Sequence, residues 1–217
     1  KWGTALAAFI GALLTTLLVY SLSRVQGKTV VVNLILVGVA INAMAGGFVT
    51  LFSFIGGTMA QSQVVFWQLG SLAGAGWSSA VITLIITVIG IVIACLCAPK
   101  MDLLALGENQ ARHLGVNVER FRLCVIILVA ALVGVGVAFA GVIAFVGLIV
   151  PHAIRLIIGP QHKWLLPTSA FGGAFVLLVA DTCARTIIST AELPIGMLTS
   201  LIGGPIFLLL LRRYKSV

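Results

Sequence analysis

Charge is what this sequence most lacks. Of its 217 residues only 8% are Asp, Glu, Lys or Arg, and just five of these are acids. Soluble domains carry about 25% charged residues, so the chain has too little polar surface to stay dissolved. An ordinary soluble enzyme, a secreted disulfide scaffold and a disordered chain are all excluded. Cysteine is scarce as well. Cys95, Cys97, Cys124 and Cys183 lie in or beside apolar runs, with no C-x-x-C spacing. Such residues behave as small buried hydrophobes, so neither disulfides nor a zinc centre is expected. A starting Met and a signal-peptide pattern are missing too, and the chain opens on Lys1. That is expected of a fragment lacking its true N-terminus.

Catalytic constellations are missing. His113, His152 and His162 are scattered, there is no H-E-x-x-H, and Gly70-Ser71 is not a G-x-S-x-G elbow. Gly27-Lys28-Thr29 imitates the end of a phosphate-binding loop, but Leu22 stands where that loop needs its first glycine. Acids are absent from span interiors: Asp181 falls at a span end, and Asp102, Glu108, Glu119 and Glu192 fall in connections. A carrier driven by ions ordinarily places such groups near the bilayer midplane. The chain therefore lacks an energy source of its own and must take one from a partner.

What is present is apolar, at 61% of residues. The fold class expected is all-α: one polytopic transmembrane domain covering residues 1–217. Each span needs about 20 apolar residues, and seven segments qualify. They are Ala5–Tyr20, Val30–Ile55, Ser79–Ala98, Leu123–Ala140, Val142–Ile158, Leu165–Asp181 and Ile195–Leu211. The net charge of +8 comes from 13 cations, and 11 of them fall in alternate connections or at the C-terminus. Loop cations mark the cytoplasmic side, so the C-terminus is expected in the cytoplasm. The same clustering makes nucleic acid an unexpected partner.

Two connections are more than turns. Gly56–Ser78 is uncharged and holds Val64-Val65-Phe66-Trp67, which suits a short helix at the outer interface with Trp67 and Trp77 as anchors. Lys100–Arg122 carries most of the polar residues around the apolar Leu103-Leu104-Ala105-Leu106-Gly107. It is read either as a cytoplasmic partner surface or as an amphipathic hairpin resting on the membrane. The chain is rich in glycine, with 24 residues. Gly134, Gly136, Ala140 and Gly141, and then Gly172, Gly173 and Ala174, are placed to let helices approach closely. Gly203-Gly204-Pro205 is expected to bend or break the last span.

Several motifs carry a family resemblance. They are Met101-Asp102-Leu103-Leu104-Ala105-Leu106-Gly107-Glu108 with Ala111-Arg112 and Leu114-Gly115; Gly141 through His152 with Arg155; and Leu165-Leu166-Pro167. Ala180-Asp181 with Ala184-Arg185, Glu192-Leu193-Pro194-Ile195-Gly196, and Gly203-Gly204-Pro205-Ile206-Phe207 continue the series. Together they resemble the FecCD-type permeases, the membrane subunits of ABC importers for iron–siderophore chelates, haem and cobalamin.

The resemblance implies a ten-helix permease of the bacterial inner membrane, here without its first three helices. It implies a homodimer with a second permease copy, two cytoplasmic ABC ATPase subunits and an extracytoplasmic substrate-binding protein. No cofactor would be bound directly, since the ATPase partner uses the ATP. By similarity, coupling to the ATPases falls to Leu103, Leu104, Ala105, Leu106, Gly107, Glu108, Arg112, Leu114 and Gly115. The gate and pathway would draw on Asn42, Met44, Phe48, Phe66, Trp67, Gly70, Ser71, Gly203, Gly204 and Pro205. Arg185 with Asp181 would dock the binding protein. The same two residues, four apart, are also placed to pair within one helix. His152, set at the cytoplasmic end of a span, is read as structural or interfacial rather than as a haem ligand. Haem is the first substrate expected, a siderophore the second, and cobalamin the alternative.

Overall fold

The computed structural model describes residues 2–25, 28–187 and 193–214; Lys1, Gly27, Glu192 and Lys215 lie outside them. Among the described residues the chain is almost wholly helical. Its helices are α1 (Trp2–Leu22), α2 (Val31–Ile55), α3 (Gly57–Gln68), α4 (Trp77–Ala105), α5 (Glu108–His113), α6 (Val118–Ala140), α7 (Val146–Ile158), α8 (His162–Ile187) and α9 (Ile195–Tyr214). One small hairpin, unexpected from the sequence, joins α1 to α2. Its strands β1 (Arg24–Val25) and β2 (Lys28–Thr29) pair antiparallel, with Arg24 opposite Thr29.

Among the described residues, five helices are long and apolar enough to cross a membrane: α1, α2, α4, α6 and α8. The expected count of seven spans is corrected here. The apolar helix of α7 is Val146–Ile158 and that of α9 is Ile195–Leu210, both short. Thirteen residues of α7 rise about 20 Å, against a hydrocarbon core of about 30 Å. The apolar stretch before α7, residues 142–145, is not helical. Gly141 leaves α6 with φ 70° and ψ −165°, a region open essentially to glycine alone. Phe145 then takes a left-handed conformation, φ 66°. An apolar composition announces burial or lipid but does not dictate a helix.

Prolines also depart from expectation. Pro99 lies inside α4, which runs past the expected end at Ala98 and carries Leu103, Leu104 and Ala105 on the same helix as the span. Pro205 lies inside α9, and α9 continues through Gly203-Gly204-Pro205 instead of breaking there. Membrane helices tolerate proline because neighbouring groups satisfy the freed carbonyls.

Packing links the helices in a series. α6 lies against α1 and α4, α4 against α8, and α8 against α7 and α9. α2 packs chiefly on α1 and α3, and of its 25 residues only Ser53 is buried. Part of the glycine pattern works as expected. A Cβ at Gly134 would meet Phe9 at 3.2 Å and Ala12 at 3.3 Å, and one at Gly172 would meet Ile154 at 2.9 Å. Gly136 and Gly173 have nothing within 4 Å of that position, so they close no contact here. The four cysteines are unbridged, and among the described residues no group of His, Cys, Asp or Glu could hold a metal.

Candidate coupling and gating sites

The polar residues of the Lys100–Arg122 connection build one end of the bundle. Helix α5 is bracketed by two glycines. Gly107, at φ 120°, precedes it, and Gly115, at φ 83°, follows it. The amide of Gly115 donates to the carbonyl of Arg112, and that of Val116 donates to Ala111, each at 3.0 Å. This double bond pattern closes a helix with glycine in the left-handed position. Ala111 is fully buried and seats α5, while Leu106 and Leu114 are both more than 60% exposed. Helix α5, six residues long, is thus closed by glycine and carries an exposed leucine on either side.

A polar network holds α5 from below. The Arg122 guanidinium donates through Nη2 to Glu108 Oε1 and through Nη1 to the carbonyl of Thr29 at 3.0 Å. Nη1 also lies 3.4 Å from Glu119 Oε1. Thr29 in turn donates its hydroxyl to Glu119 Oε2 at 2.7 Å and its amide to Oε1 at 3.2 Å. Arg112 adds a looser ion pair to Glu108 at 3.8 Å. Both Thr29 and the Arg122 side chain are largely shielded from solvent, at 5% and 15% exposure. Sequence reading missed Thr29, Glu119 and Arg122 as the brace behind α5, because Thr29 and Glu119 are 90 positions apart and the family motifs include neither.

The same end is tied to α8. Asp102 Oδ1 accepts from the backbone amide of His162 at 3.0 Å and lies 2.6 Å from its Nδ1. A carboxylate at the N-terminus of a helix satisfies a free amide and complements the helix dipole. Lys100 stands over the Phe121 ring at 6.0 Å, joining α4 to α6.

The opposite end is built of glycine and backbone. The amide of Ser71 donates to the carbonyl of Ala140 at 2.9 Å. A Cβ at Gly70 would lie 2.6 Å from the carbonyl oxygen of Val142, and one at Gly141 would lie 2.3 Å from that of Trp67. At Gly196 the added carbon would meet the Leu69 carbonyl oxygen at 2.2 Å. Three chain segments, after α3, after α6 and at the start of α9, therefore touch through bare backbone. Gly141 and Gly196 were expected to matter only as a packing residue and a motif residue. Their meeting with Gly70 is a tertiary fact.

The remaining residues expected at the gate are dispersed. Phe66 and Trp67 are exposed on α3, and Met44 and Phe48 on α2. Helical spacing puts Met44 and Phe48 within about 40° of each other and Asn42 more than about 100° away, so these three do not share one face. Gly203 admits Phe145, whose Cβ would sit 2.7 Å from an added carbon, and Gly204 has only the tip of that ring at 4.0 Å. Pro205 continues α9 two residues beyond Gly203, about half a turn on. Two apolar clefts flank the region. One, of about 280 Å³, lies between α7, α8 and α9. The other, of about 620 Å³, carries Ser79, Thr83 and Thr87 along α4. No charged side chain lines either cleft.

Asp181 and Arg185 do pair within α8, with Arg185 Nε donating to Asp181 Oδ2 at 2.9 Å. The Arg185 side chain remains half exposed. His152 lies midway along α7 and is half-buried. That corrects its expected place at the end of a span.

Comparison with known proteins agrees with this architecture. The chain is 44% identical over 209 residues to the hemin transport system permease protein HmuU of Yersinia pestis. It is 40% identical over 208 residues to the vitamin B12 import system permease protein BtuC of Vibrio vulnificus. Each alignment takes in 96% of this chain, which spans 62% of the length of either relative. A solved structure described as an inward-facing metal-chelate type ABC transporter superposes with a TM-score of 0.86 at 32% identity, covering 97% of this chain and 71% of the other. The model of the FecCD transport family matches residues 1–213, and the chain belongs to that family.

Proposed function

We propose that this chain is part of the permease subunit of a binding-protein-dependent ABC importer, carrying an iron chelate across the bacterial inner membrane. The observation that carries the reading is the contrast between clefts without charge and a single polar end that presents α5. No charged side chain lines those clefts, where a proton or ion relay would need one, and the driving motion is read as coming from outside the chain. α5 and the exposed Leu106 and Leu114 offer the surface on which a cytoplasmic ATPase pushes, with the C-terminus on the same side. Two copies of the permease, two ATPases and an extracytoplasmic binding protein complete the assembly. The permease itself is not catalytic, and ATP is consumed by its partner.

Haem is the favoured substrate and a siderophore the second. An uncharged wall passes a large apolar chelate without trapping it, and the relative named for hemin shares more identity than the one named for vitamin B12. Cobalamin remains the competing substrate within the same family. The deciding experiment places the full-length protein, its ATPase and its binding protein in liposomes, and compares uptake of haemin with that of cobalamin. Haemin uptake dependent on ATP is expected. Cobalamin uptake alone would reassign the substrate, and uptake without any ATPase would refute the importer reading.

Arg185 is read as the outer docking residue, with Asp181 fixing its guanidinium so that the remaining nitrogens face an acid on the binding protein. Arg185→Glu should weaken binding-protein affinity about fivefold or more at low salt and little at high salt, because such attraction is screened. Equal affinity at both salt concentrations would leave Arg185 with a purely intramolecular role.

A further inference from the structure

We propose that Arg122 is a positioning residue that binds helix α5 to the α1–α2 hairpin, so that displacement of α5 is passed directly to α1 and α2. The proposal rests on the reading of α5 as the ATPase contact and adds the route by which its movement leaves the polar end. Three observations carry it. Arg122 is the one side chain among the described residues that bonds Glu108 on α5, Glu119 on α6 and the backbone of Thr29 in the hairpin. Glu119 grips Thr29 a second time through its hydroxyl and amide. α2 meanwhile has few other anchors, since it packs chiefly on α1 and α3 and buries a single residue.

Geometry makes the link stiff. A guanidinium presents its donors in a fixed planar fork, so two partners held by one Arg keep a set separation. A lysine at the same place would supply charge without that fork. Thr29 is buried, at 5% exposure, and bonds Glu119 and Arg122, so it joins the hairpin to the network without offering a surface to the ATPase.

The test uses the full-length protein assembled with its ATPase, with native cysteines replaced. Spin labels are placed at Gln110→Cys on α5 and Val32→Cys at the start of α2. In the native background, a single narrow distance is expected with and without ATP, showing that the two elements move together. Arg122→Gln should broaden or split that distribution, Arg122→Lys should recover it in part, and Thr29→Val should broaden it more weakly. Loss of a charged hydrogen bond weakens the linked state about tenfold, and loss of a neutral one about threefold. ATPase capture by Thr29→Val should stay close to native, since Thr29 bonds Glu119 and Arg122 and no residue of the expected ATPase contact.

An unchanged distribution in both Arg122→Gln and Thr29→Val would overturn the proposal. Loss of ATPase capture in Thr29→Val would overturn it too, by making the network part of the contact rather than a link behind it. Should Arg122→Gln fail to fold, Thr29→Val decides alone. If the native protein captures no ATPase, the reading of α5 falls and the proposal with it. Native capture with unchanged distances removes the proposal only.

Discussion

At one end of the bundle Arg122, Glu119, Glu108 and Thr29 are joined by directional bonds between side chains and one carbonyl. At the other end Gly70, Gly141 and Gly196 bring three backbones together with no side chain between them. The first kind of joint can loosen and re-form, because water replaces a lost partner and the net value of each bond is about 1 kcal/mol, or a few for charged groups. The second has no such freedom. A single added carbon collides with a carbonyl that has nowhere to go. On the function proposed above, the first would be the end that is pushed and the second the end that holds its shape.

The largest effect should come from breaking the glycine end. Gly196→Ala places a carbon 2.2 Å from the Leu69 carbonyl oxygen, and Gly141→Ala places one 2.3 Å from that of Trp67 at a φ of 70°. Overpacking costs about 1–3 kcal/mol, and the strained backbone at Gly141 adds about 1–3. Both variants should unfold well below the native temperature in a detergent melt, with Gly141→Ala the worse. A melt within a degree or two of native would show that these segments do not hold the structure.

Breaking the polar end should cost function rather than stability. Glu108→Lys puts a cation beside Arg122 and Arg112, the two groups Glu108 now holds. Uptake by the reconstituted importer should fall about tenfold or more, as expected for losing charged hydrogen bonds, while the melt moves little. Equal uptake would remove Glu108 from the coupling site. Asp102→Ala probes the same end more gently. It strips the acceptor from the first amide of α8, and loss of such a cap costs about 0.5–2 kcal/mol. A small fall in melting temperature, largely restored in Asp102→Asn, is the expected outcome.

Much of this organisation could be read before the structure. Sparse charge and long apolar runs announced a helical membrane bundle, and the composition of Gly56–Ser78 announced α3. The four-residue spacing of Asp181 and Arg185 announced their pair. These are local signals, and local periodicity carries them. The failures share another cause. Residues 142–145 are apolar yet not helical, because a backbone conformation set at Gly141 and Phe145 overrides composition. The expected span ended at Ala98, but α4 passes on through Pro99 to Ala105. The Thr29–Glu119 bonds and the glycine junction join segments far apart in the chain, and nothing in any one segment points to the other. The motif from Leu103 to Gly115 was therefore visible in the sequence, and the side chains that brace it were not.

The central claim is that the polar end faces the motor. It is tested most directly by cross-linking single cysteines in the assembled, full-length protein to the ATPase subunit. Leu106→Cys, in the exposed turn between α4 and α5, is predicted to cross-link to the ATPase. Gly74→Cys, in the turn before α4 at the glycine end, should not. Cross-linking from Gly74→Cys with none from Leu106→Cys would contradict the account.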